Sequence, residues 1–345
     1  MAGLSHIPLI KFLRNSTRLS LCVTIQHAGQ LPDNLVPAMK YPMILDQPTW
    51  LERAAAHTAR VDAWTHGRIQ RARAGEKHPV DDFLFEYYPT RPRQFRRWHP
   101  GLGVALVDAP DYLKDSHYTV TDVDGVSAAI VDPARFAHRR DGLAWIEGLV
   151  RTSSQRPART GCFGLHEWAM VYGLEQQEVR HSAWPLRLSP AEIRDTVDEI
   201  GLRCTHFDAF RFYTAQATPL NEFILTRQSQ PEFDQPGCLH ATMDLYKWTE
   251  KYVALVGSDL VADCFELARE ARTLDMQAAP YDLLPLGYEP IPIETPAGRA
   301  EYVRRQRTLM DASLPLRERV VTALGQALVA IDDANGAEAA RQLRA

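Results

Sequence analysis

The sequence predicts a mainly α-helical protein with a small β meander, an α+β fold in a single compact helical domain. Helix starts recur along the chain. In the clearest one, Ser189-Pro190-Ala191-Glu192, serine is the N-cap, proline takes the first helical position and glutamate closes a capping box. Strand patterns are few and short, and the 345 residues show no internal repeat, heptad run or low-complexity linker.

The helical segments follow from caps and apolar spacing. Pro48 begins a long pattern that extends to about Arg73 and ends at Gly75. Pro79 begins a shorter one that is broken at Pro89, because proline cannot donate the backbone hydrogen bond of a helix interior. Four further helices are predicted: from Ser189 to Gly201, from a cap at Ser258, from Thr295-Pro296 to about Met310, and from Leu316 to Ile331.

The strand patterns suggest one small meander. It would contain Gly103–Val107, a strand beginning at Tyr118, and Val126–Val131, with Asp124-Gly125 as the hairpin turn. The stretch from residue 203 to residue 213 is ambiguous. Strand spacing would place His206 and Asp208 on one face, whereas helical spacing would separate them.

The overall charge excludes a protein that binds nucleic acid through a global positive field. The net charge is −4, with 39 basic and 43 acidic side chains, so any such binding needs a local basic strip. The five cysteines are far apart and form no C-x-x-C pair, which favours a reducing cytoplasm over a disulfide framework. No run approaches the ~20 apolar residues of a membrane span, so no membrane partner is expected.

Residues 1–40 differ from the rest of the chain. Their first part is basic and moderately apolar, but its apolar stretches are interrupted and no small-residue cleavage site follows, which disfavours a signal peptide. We expect residues 1–40 to form a loosely ordered N-terminal extension, and residues 41–345 to form a globular catalytic domain.

Ionisable residues concentrate among aromatic and aliphatic ones between Cys204 and Lys251. His206 and Asp208 lie in the first part, and His240, Asp244 and Lys247 share one stripe if the second part is helical. Charged groups in apolar surroundings cost several kcal/mol to bury unless they are paired. The pattern therefore indicates either a working acid–base site or a salt-bridge stripe on the surface.

A second polar segment, His166-Glu167-Trp168, precedes a methionine at position 170. This excludes the H-E-x-x-H motif of zinc proteases. One alternative is a carboxylate–histidine metal site made from Glu167, His206, His240 and Asp244 in a helical bundle, although the usual E-x-x-H spacing is missing.

The best candidate for nucleic-acid binding is a basic strip that follows Tyr87-Tyr88. It contains four arginines and two aromatic residues without an acidic one: Arg91, Arg93, Arg96, Arg97, Trp98 and His99. Arginines would hold phosphates, and rings would stack on a base or insert into the duplex. The alternative is a basic surface loop that neutralises Asp81-Asp82 or Glu86.

Several motifs resemble a bacterial, largely actinobacterial, family labelled 3-methyladenine DNA glycosylase. The resemblance extends from roughly Asp46 to Leu316. The motifs are His78-Pro-Val-Asp-Asp-Phe-Leu-Phe-Glu-Tyr-Tyr, Arg97-Trp-His-Pro-Gly, His166-Glu-Trp-Ala-Met-Val-Tyr, Cys204-Thr-His-Phe-Asp-Ala-Phe-Arg-Phe, Gln235-Pro-Gly-Cys-Leu-His-Ala, Met243-Asp-Leu-Tyr-Lys-Trp, and Leu274-Asp-Met with Pro280-Tyr-Asp-Leu.

The chain is also similar to anti-phage DNA glycosylases that remove α-glucosylated 5-hydroxymethylcytosine. The resemblance implies excision of a bulky modified base from double-stranded DNA, which leaves an abasic site as phage defence. Repair of 3-methyladenine or another alkylated purine is the alternative. No cofactor, metal or obligate protein partner is implied. The third possibility is a helical metal-dependent enzyme that acts on a small molecule.

Glycosylases flip the target nucleotide and stabilise an oxocarbenium-like sugar while water attacks. We expect Asp208 to be the carboxylate, with Asp244 and Glu167 as rivals, and His206 or His240 to act on the leaving base. Lys247 offers the alternative of a Schiff-base lyase. The remaining candidates are Trp168, Phe212 and Tyr246, which would sandwich the base, and Asn221, Gln235 and Arg211, which would bind sugar hydroxyls.

Overall fold

The computed structural model describes residues 43–88, 90–123, 125–179 and 184–342. These residues belong to one compact unit. The predicted extension at residues 1–40 lies outside the described residues. Within them, helices dominate and the strands form one four-stranded sheet, which confirms the predicted mainly α class with a small sheet.

The described residues form twelve α-helices and four strands, together with five short 3-10 helices. The helices are α1 (Gln47–Ala74), α2 (Phe83–Tyr87), α3 (Pro92–Phe95), α4 (Arg140–Ser154), α5 (Leu165–Ala169), α6 (Pro190–Ile200), α7 (Phe207–Phe210), α8 (Gln230–Phe233), α9 (Leu239–Glu250), α10 (Val253–Val256), α11 (Ser258–Ala278) and α12 (Pro296–Gln342). The strands are β1 (Met43–Leu45), β2 (Val104–Val107), β3 (Tyr118–Val123) and β4 (Val126–Val131).

The best-capped helices begin and end where the sequence predicts. Asp46 caps α1 by accepting a hydrogen bond from the backbone of Thr49, and Gly75 ends it in the left-handed conformation with φ of 72°. At α6, the Ser189 hydroxyl and the Glu192 carboxylate form the predicted capping box. These boundaries depend on local chemistry alone, which is why the sequence reveals them.

Three predicted boundaries are wrong. The helix expected from Pro79 begins only at Phe83, because the Asp82 side chain accepts a hydrogen bond from His78 N at 3.0 Å and holds the preceding residues in a turn. The C-terminal segment forms one helix that continues through Pro315 instead of two. Ser258 is the first residue of α11, and its hydroxyl accepts from His99 N at 2.8 Å instead of capping the helix.

The sheet has the strand order β1-β2-β4-β3. β3 and β4 form the predicted antiparallel hairpin, with Val123 opposite Val126. β4 also pairs with β2, whereas β1, which the sequence did not predict, pairs in parallel with β2. The meander is therefore confirmed, with one short strand added at its edge.

Helix α9 runs through the interior beside α11. All of its residues are buried except Lys247 and Glu250, which are partly exposed. Its aromatic neighbours form a cluster in which the ring of Phe265 lies 4.6 Å from Phe95 and 4.8 Å from Tyr246, measured between centroids. Polar side chains on α9 are thus held inside the protein, among apolar ones. Among the described helices, none combines the length and the apolar composition needed to cross a membrane.

Candidate active site

Helices α7 and α9 bring four of the predicted residues together. His206 is the N-cap residue of α7 and Asp208 lies in its first turn, so the ambiguous segment is a short helix. Asp244 and Lys247 lie three positions apart on α9. We refer to His206, Asp208, Asp244 and Lys247 as the carboxylate site.

The Lys247 ammonium bridges the two carboxylates. Its Nζ lies 2.8 Å from Oδ2 of Asp208 and 3.2 Å from Oδ2 of Asp244. The Tyr88 hydroxyl donates a hydrogen bond to Oδ1 of Asp244 at 3.0 Å. Both aspartates are buried, with 4% and 2% of Asp208 and Asp244 exposed. The alternative of a surface salt-bridge stripe is therefore wrong for Asp244.

Two arginines cover the outer oxygen of Asp208. Arg227 Nη2 and Arg211 Nε lie 3.1 and 3.3 Å from Oδ1 of Asp208. Both arginine side chains are about half exposed, so these contacts separate the buried carboxylate from solvent. Displacement of either guanidinium would open Oδ1 to a ligand.

His206 is held between two more carboxylates. Its Nδ1 lies 2.9 Å from Oδ1 of Asp234, and its Nε2 lies 3.7 Å from Oδ2 of Asp244. Burial lowers the pKa of His206, but the adjacent Asp234 and Asp244 carboxylates outweigh that effect and raise the pKa to about 9. The imidazole is therefore protonated at neutral pH.

Opposite charges also shift the pKa values of Lys247 and Asp208. Burial lowers the pKa of Lys247, but the carboxylates of Asp244 and Asp208 overcome this and place it above the ordinary value. Burial raises the pKa of Asp208, but Lys247, His206 and Arg227 more than offset it, so that the pKa lies below the ordinary value. At neutral pH the site contains an ionised carboxylate beside two proton-carrying cations.

A cavity of about 790 Å³ opens beside the carboxylate site. Lys247 belongs to both, Arg227 lines the cavity and contacts Asp208, and the side chains of Arg139 and Lys251 add two more positive charges to the cavity. Trp145 and Trp248 line it with their ring centroids 5.7 Å apart. Since no described carboxylate lines this cavity, it favours an anionic ligand that carries an aromatic group.

The other polar segment forms a second buried group, the His166 cluster, made of His166, Glu167, His240, Arg272 and Asp275. Arg272 Nη1 donates to Glu167 Oε1 at 2.7 Å and to Asp275 Oδ2 at 3.0 Å. His166 Nε2 lies 2.8 Å from Oδ1 of Asp275. Glu167 is therefore neutralised by Arg272 and does not join the carboxylate site.

The four-residue metal site proposed from the sequence does not form. His206 and Asp244 lie in the carboxylate site, whereas Glu167 and His240 lie in the His166 cluster. Among the described residues, two other groups of three have the spacing of metal ligands: His166, His240 and Asp275, and His206, Asp208 and Asp244. In the second group the Lys247 ammonium already lies between the carboxylates.

The predicted aromatic sandwich is not assembled. The Trp168 ring is fully buried and its Nε1 donates to Ala278 O at 2.8 Å. Tyr246 belongs to the aromatic core beside Phe95. Phe212 is partly exposed, and the Arg211 guanidinium lies 4.5 Å from its ring centroid. Trp168 and Tyr246 therefore stabilise the core, and the rings that line the cavity are Trp145 and Trp248.

Asn221 and Gln235 support the backbone near the site. The Asn221 side chain accepts from Cys204 N at 2.8 Å and donates to Cys204 O at 3.1 Å. The Gln235 carbonyl accepts from Arg159 N at 2.9 Å and from Gly237 N at 2.8 Å. Both side chains are buried in these contacts, so neither faces the cavity as a partner for sugar hydroxyls.

The residues of the predicted basic strip differ in how far they are buried. Arg91, Arg93, Arg96 and Arg97 are exposed, whereas Trp98 and His99 are buried. Arg96 pairs with Asp62 at 2.6 Å and Arg97 approaches Asp115 at 3.5 Å. Arg91 and Arg93 form no ion pair with a described residue. Trp98 and His99 therefore cannot stack on DNA without leaving the core, and Arg91 and Arg93 are the arginines available to phosphates.

Sequence reasoning missed Tyr88, Arg139, Trp145, Arg227 and Trp248. Tyr88 and Trp248 stood inside quoted motifs, where the density of aromatic residues was a signal for them. Arg139, Trp145 and Arg227 have no local signal, because tertiary folding alone brings them to α9.

Comparisons of this chain with protein-family models, curated proteins and solved structures find no match.

Proposed function

We propose that this protein is a DNA glycosylase that hydrolyses the N-glycosidic bond of a modified base in double-stranded DNA and leaves an abasic site. One observation carries the proposal: a buried, ionised Asp208 beside protonated Lys247 and His206, adjoining a cavity lined by cations and tryptophans. The motif resemblance described above supports the same reaction.

Hydrolysis of the N-glycosidic bond needs a carboxylate that stays ionised at neutral pH. Asp208 has that property, and it would stabilise the oxocarbenium-like sugar and orient the attacking water. The leaving base departs as an anion unless it receives a proton. Lys247 Nζ and His206 Nε2 are the proton-bearing groups of the site, and Lys247 also lines the cavity. Asp244 holds Lys247 and accepts from Tyr88, which makes it a positioning residue.

The raised pKa of Lys247 favours a monofunctional enzyme. A lysine that forms a Schiff base must lose its proton to attack C1′. Two carboxylates hold the Lys247 ammonium in its charged form. Base release by water is therefore proposed, without strand cleavage by a lyase step.

The cavity supports a flipped nucleotide with a bulky base. Arg139, Arg227 and Lys251 would contact phosphates, and Trp145 would stack on the base. A volume of about 790 Å³ lies within the range of about 300–1,000 Å³ found for small-molecule and cofactor sites. Glucosylated hydroxymethylcytosine in phage DNA is accordingly the proposed substrate, with defence in the cytoplasm as the role; an alkylated purine is the alternative.

The test is incubation of the purified protein with unmodified DNA, alkylated DNA and glucosyl-hydroxymethylcytosine phage DNA, followed by alkali to reveal abasic sites. We expect alkali-dependent breaks in the phage DNA alone. Breaks confined to alkylated DNA would establish the repair alternative. No breaks in any of the three, under conditions in which the protein binds DNA, would reject the proposed function.

A further inference from the structure

The His166 cluster contains three ligand atoms that converge from three helices. His166 comes from α5, His240 from α9 and Asp275 from α11, and one nitrogen or oxygen atom of each lies within 4.8 Å of the others. All three side chains are buried, and Asp275 is fully inaccessible. We propose that these three residues bind a single divalent transition-metal ion, at a site separate from the carboxylate site.

Unsatisfied polar atoms support a ligand at this position. His166 Nε2 and Asp275 Oδ1 lie at ion-pair distance, 2.8 Å apart, yet neither forms an aligned hydrogen bond. The His240 side chain, in a residue that is 7% exposed, forms no hydrogen bond with another described residue. Buried polar atoms almost always have hydrogen-bond partners, so two unsatisfied atoms with a third potential ligand beside them indicate that something else satisfies them.

The surrounding contacts are those that orient metal ligands. Arg272 donates to Asp275 Oδ2 at 3.0 Å, which fixes the carboxylate and leaves Oδ1 for a metal. Cys162 Sγ lies 3.9 Å from His166 Nδ1, so that Nε2 is the nitrogen that faces Asp275. Hydrogen bonding of the atoms that do not ligate is the usual means by which proteins fix histidine and carboxylate ligands.

A fourth ligand position is available beside the two histidines. A cavity of about 20 Å³ is lined by His166 and His240, together with Cys162, Cys204 and Cys238. Such a volume accommodates about one water molecule. Three protein ligands and one water form the tetrahedral arrangement of many zinc sites.

The ligand set selects the class of metal. Two imidazole nitrogens and one carboxylate oxygen suit Zn²⁺, Fe²⁺ and Co²⁺, whereas Mg²⁺ and Ca²⁺ prefer oxygen ligands. The other triad, His206, Asp208 and Asp244, has comparable spacing, but the Lys247 ammonium already contacts both of its carboxylates, whereas Arg272 contacts only Oδ2 of Asp275 and leaves Oδ1 to the histidines. The metal is therefore assigned to the His166 cluster.

The proposed metal site contacts the carboxylate site through His240. The ring of His240 stacks on that of His206 with centroids 5.4 Å apart and planes inclined by 25°. Its edge-to-face contact with His166 has a centroid distance of 4.5 Å. A metal that fixes His240 would thus hold His206 in place, although metal binding does not depend on the proposed base excision.

The experiment measures metal directly. Metal-depleted wild-type protein is titrated with Zn²⁺ and, separately, with Co²⁺, and bound metal is quantified by mass spectrometry and by the visible absorption of Co²⁺. We expect one equivalent per chain, and less than about a tenth of that in His240→Gln and Asp275→Asn. His99→Gln, which changes a buried histidine outside the cluster, is expected to bind like the wild type.

His240→Gln is the decisive variant, because the His240 side chain forms no hydrogen bond to a described residue whose loss would unfold the protein. Circular dichroism and Tm without metal check that it is folded, and Zn²⁺ should raise the Tm of the wild type but not of this variant. A folded His240→Gln that binds one equivalent, or a wild type that binds none, would overturn the assignment. Metal binding without base excision rejects the proposed function alone, whereas base excision without metal binding rejects the metal site alone.

Discussion

The Lys247 ammonium lies 2.8 Å from Oδ2 of Asp208, a residue 39 positions earlier in the chain. This contact ties α9 to α7 and keeps a carboxylate ionised inside the protein. Removal of one partner from a buried ion pair generally costs about 3–5 kcal/mol, because the other charge is left uncompensated. A variant that removes one partner is therefore expected to be less stable, and it must be tested for stability as well as for the proposed chemistry.

Asp208→Asn should abolish base excision and spare DNA binding. Loss of the negative charge removes the stabilisation of the sugar cation, for which we expect a fall in single-turnover rate of at least about 100-fold. Asp263→Asn is the matched control, since Asp263 is also held by two arginines, Arg60 at 2.8 Å and Arg319 at 2.7 Å, outside the cavity. Equal rates for Asp208→Asn and the wild type would contradict the assignment.

Lys247 should not form a covalent complex with the substrate. Its ammonium is held protonated by two carboxylates, so borohydride treatment during turnover is expected to trap no protein–DNA adduct. Lys247→Met should lower both activity and Tm, because it leaves Asp208 and Asp244 without their shared cation. An adduct in the wild type that is absent from Lys247→Met would establish the lyase alternative.

Arg91 and Arg93 should contribute to DNA affinity without selecting the base. For the double variant Arg91→Gln/Arg93→Gln we expect weaker binding to all DNAs and a salt dependence whose slope falls by about 2. The control is Arg304→Gln/Arg305→Gln, because both of these arginines already pair with Glu301 on α12. If the two double variants have the same salt dependence as the wild type, the strip does not contact phosphates.

Trp145 should stack on the flipped base. It is 40% exposed at the cavity, and base–aromatic stacking contributes about 1–3 kcal/mol. Trp145→Ala is therefore expected to raise the Kd for modified DNA by about tenfold, whereas Trp145→Phe keeps a ring and should stay within about threefold of the wild type. Fluorescence anisotropy with a labelled duplex measures both. An alanine variant that binds as tightly as the phenylalanine one would remove Trp145 from the binding site.

His99 should make the protein less stable in acid. Burial lowers the pKa of His99 from 6.5 to about 4, so between these values the unfolded state takes up a proton that the folded state rejects. The free energy of unfolding should fall by about 2 kcal/mol from pH 7.5 to pH 5 on this account. In His99→Gln, the free energy of unfolding should lose this part of its pH dependence. In His66→Gln, a change at an exposed position, the pH dependence should stay as in the wild type. Urea titrations at the two pH values provide the comparison.

Local chemistry explains which parts of the fold the sequence predicts. The end of α1 at Gly75, the capping box of α6 and the β3–β4 hairpin involve neighbouring residues, and the sequence predicts all three. The continuation of α12 through Pro315 was not, because burial of Leu316, Val320 and Leu324 outweighs the local preference of proline to end a helix.

The same distinction applies to the candidate site. Charges that recur among apolar residues predict a site between Cys204 and Lys251. His206, Asp208, Asp244 and Lys247 of that segment lie together, whereas His240 lies in the His166 cluster. The covering of Asp208 by Arg227, and the pairing of Trp145 with Trp248, depend on contacts between distant segments. Trp168 and Tyr246 were wrongly predicted to bind the base. An aromatic residue near a polar motif belongs to the core as readily as to a pocket.

Helix α12 also constrains how a ribosome-bound chain acquires this fold. Its buried Arg317 donates to Ser153 of α4 across 164 positions of sequence. Protein synthesis proceeds at about 5–20 residues per second, so Arg317 is added roughly 8 to 30 s after Ser153. During that interval Leu143, Ile146 and Leu149 of α4, which are buried in the finished protein, have no α12 to cover them. The nascent chain thus exposes apolar surface that the finished protein buries, and codons that slow translation before α12 should increase its aggregation.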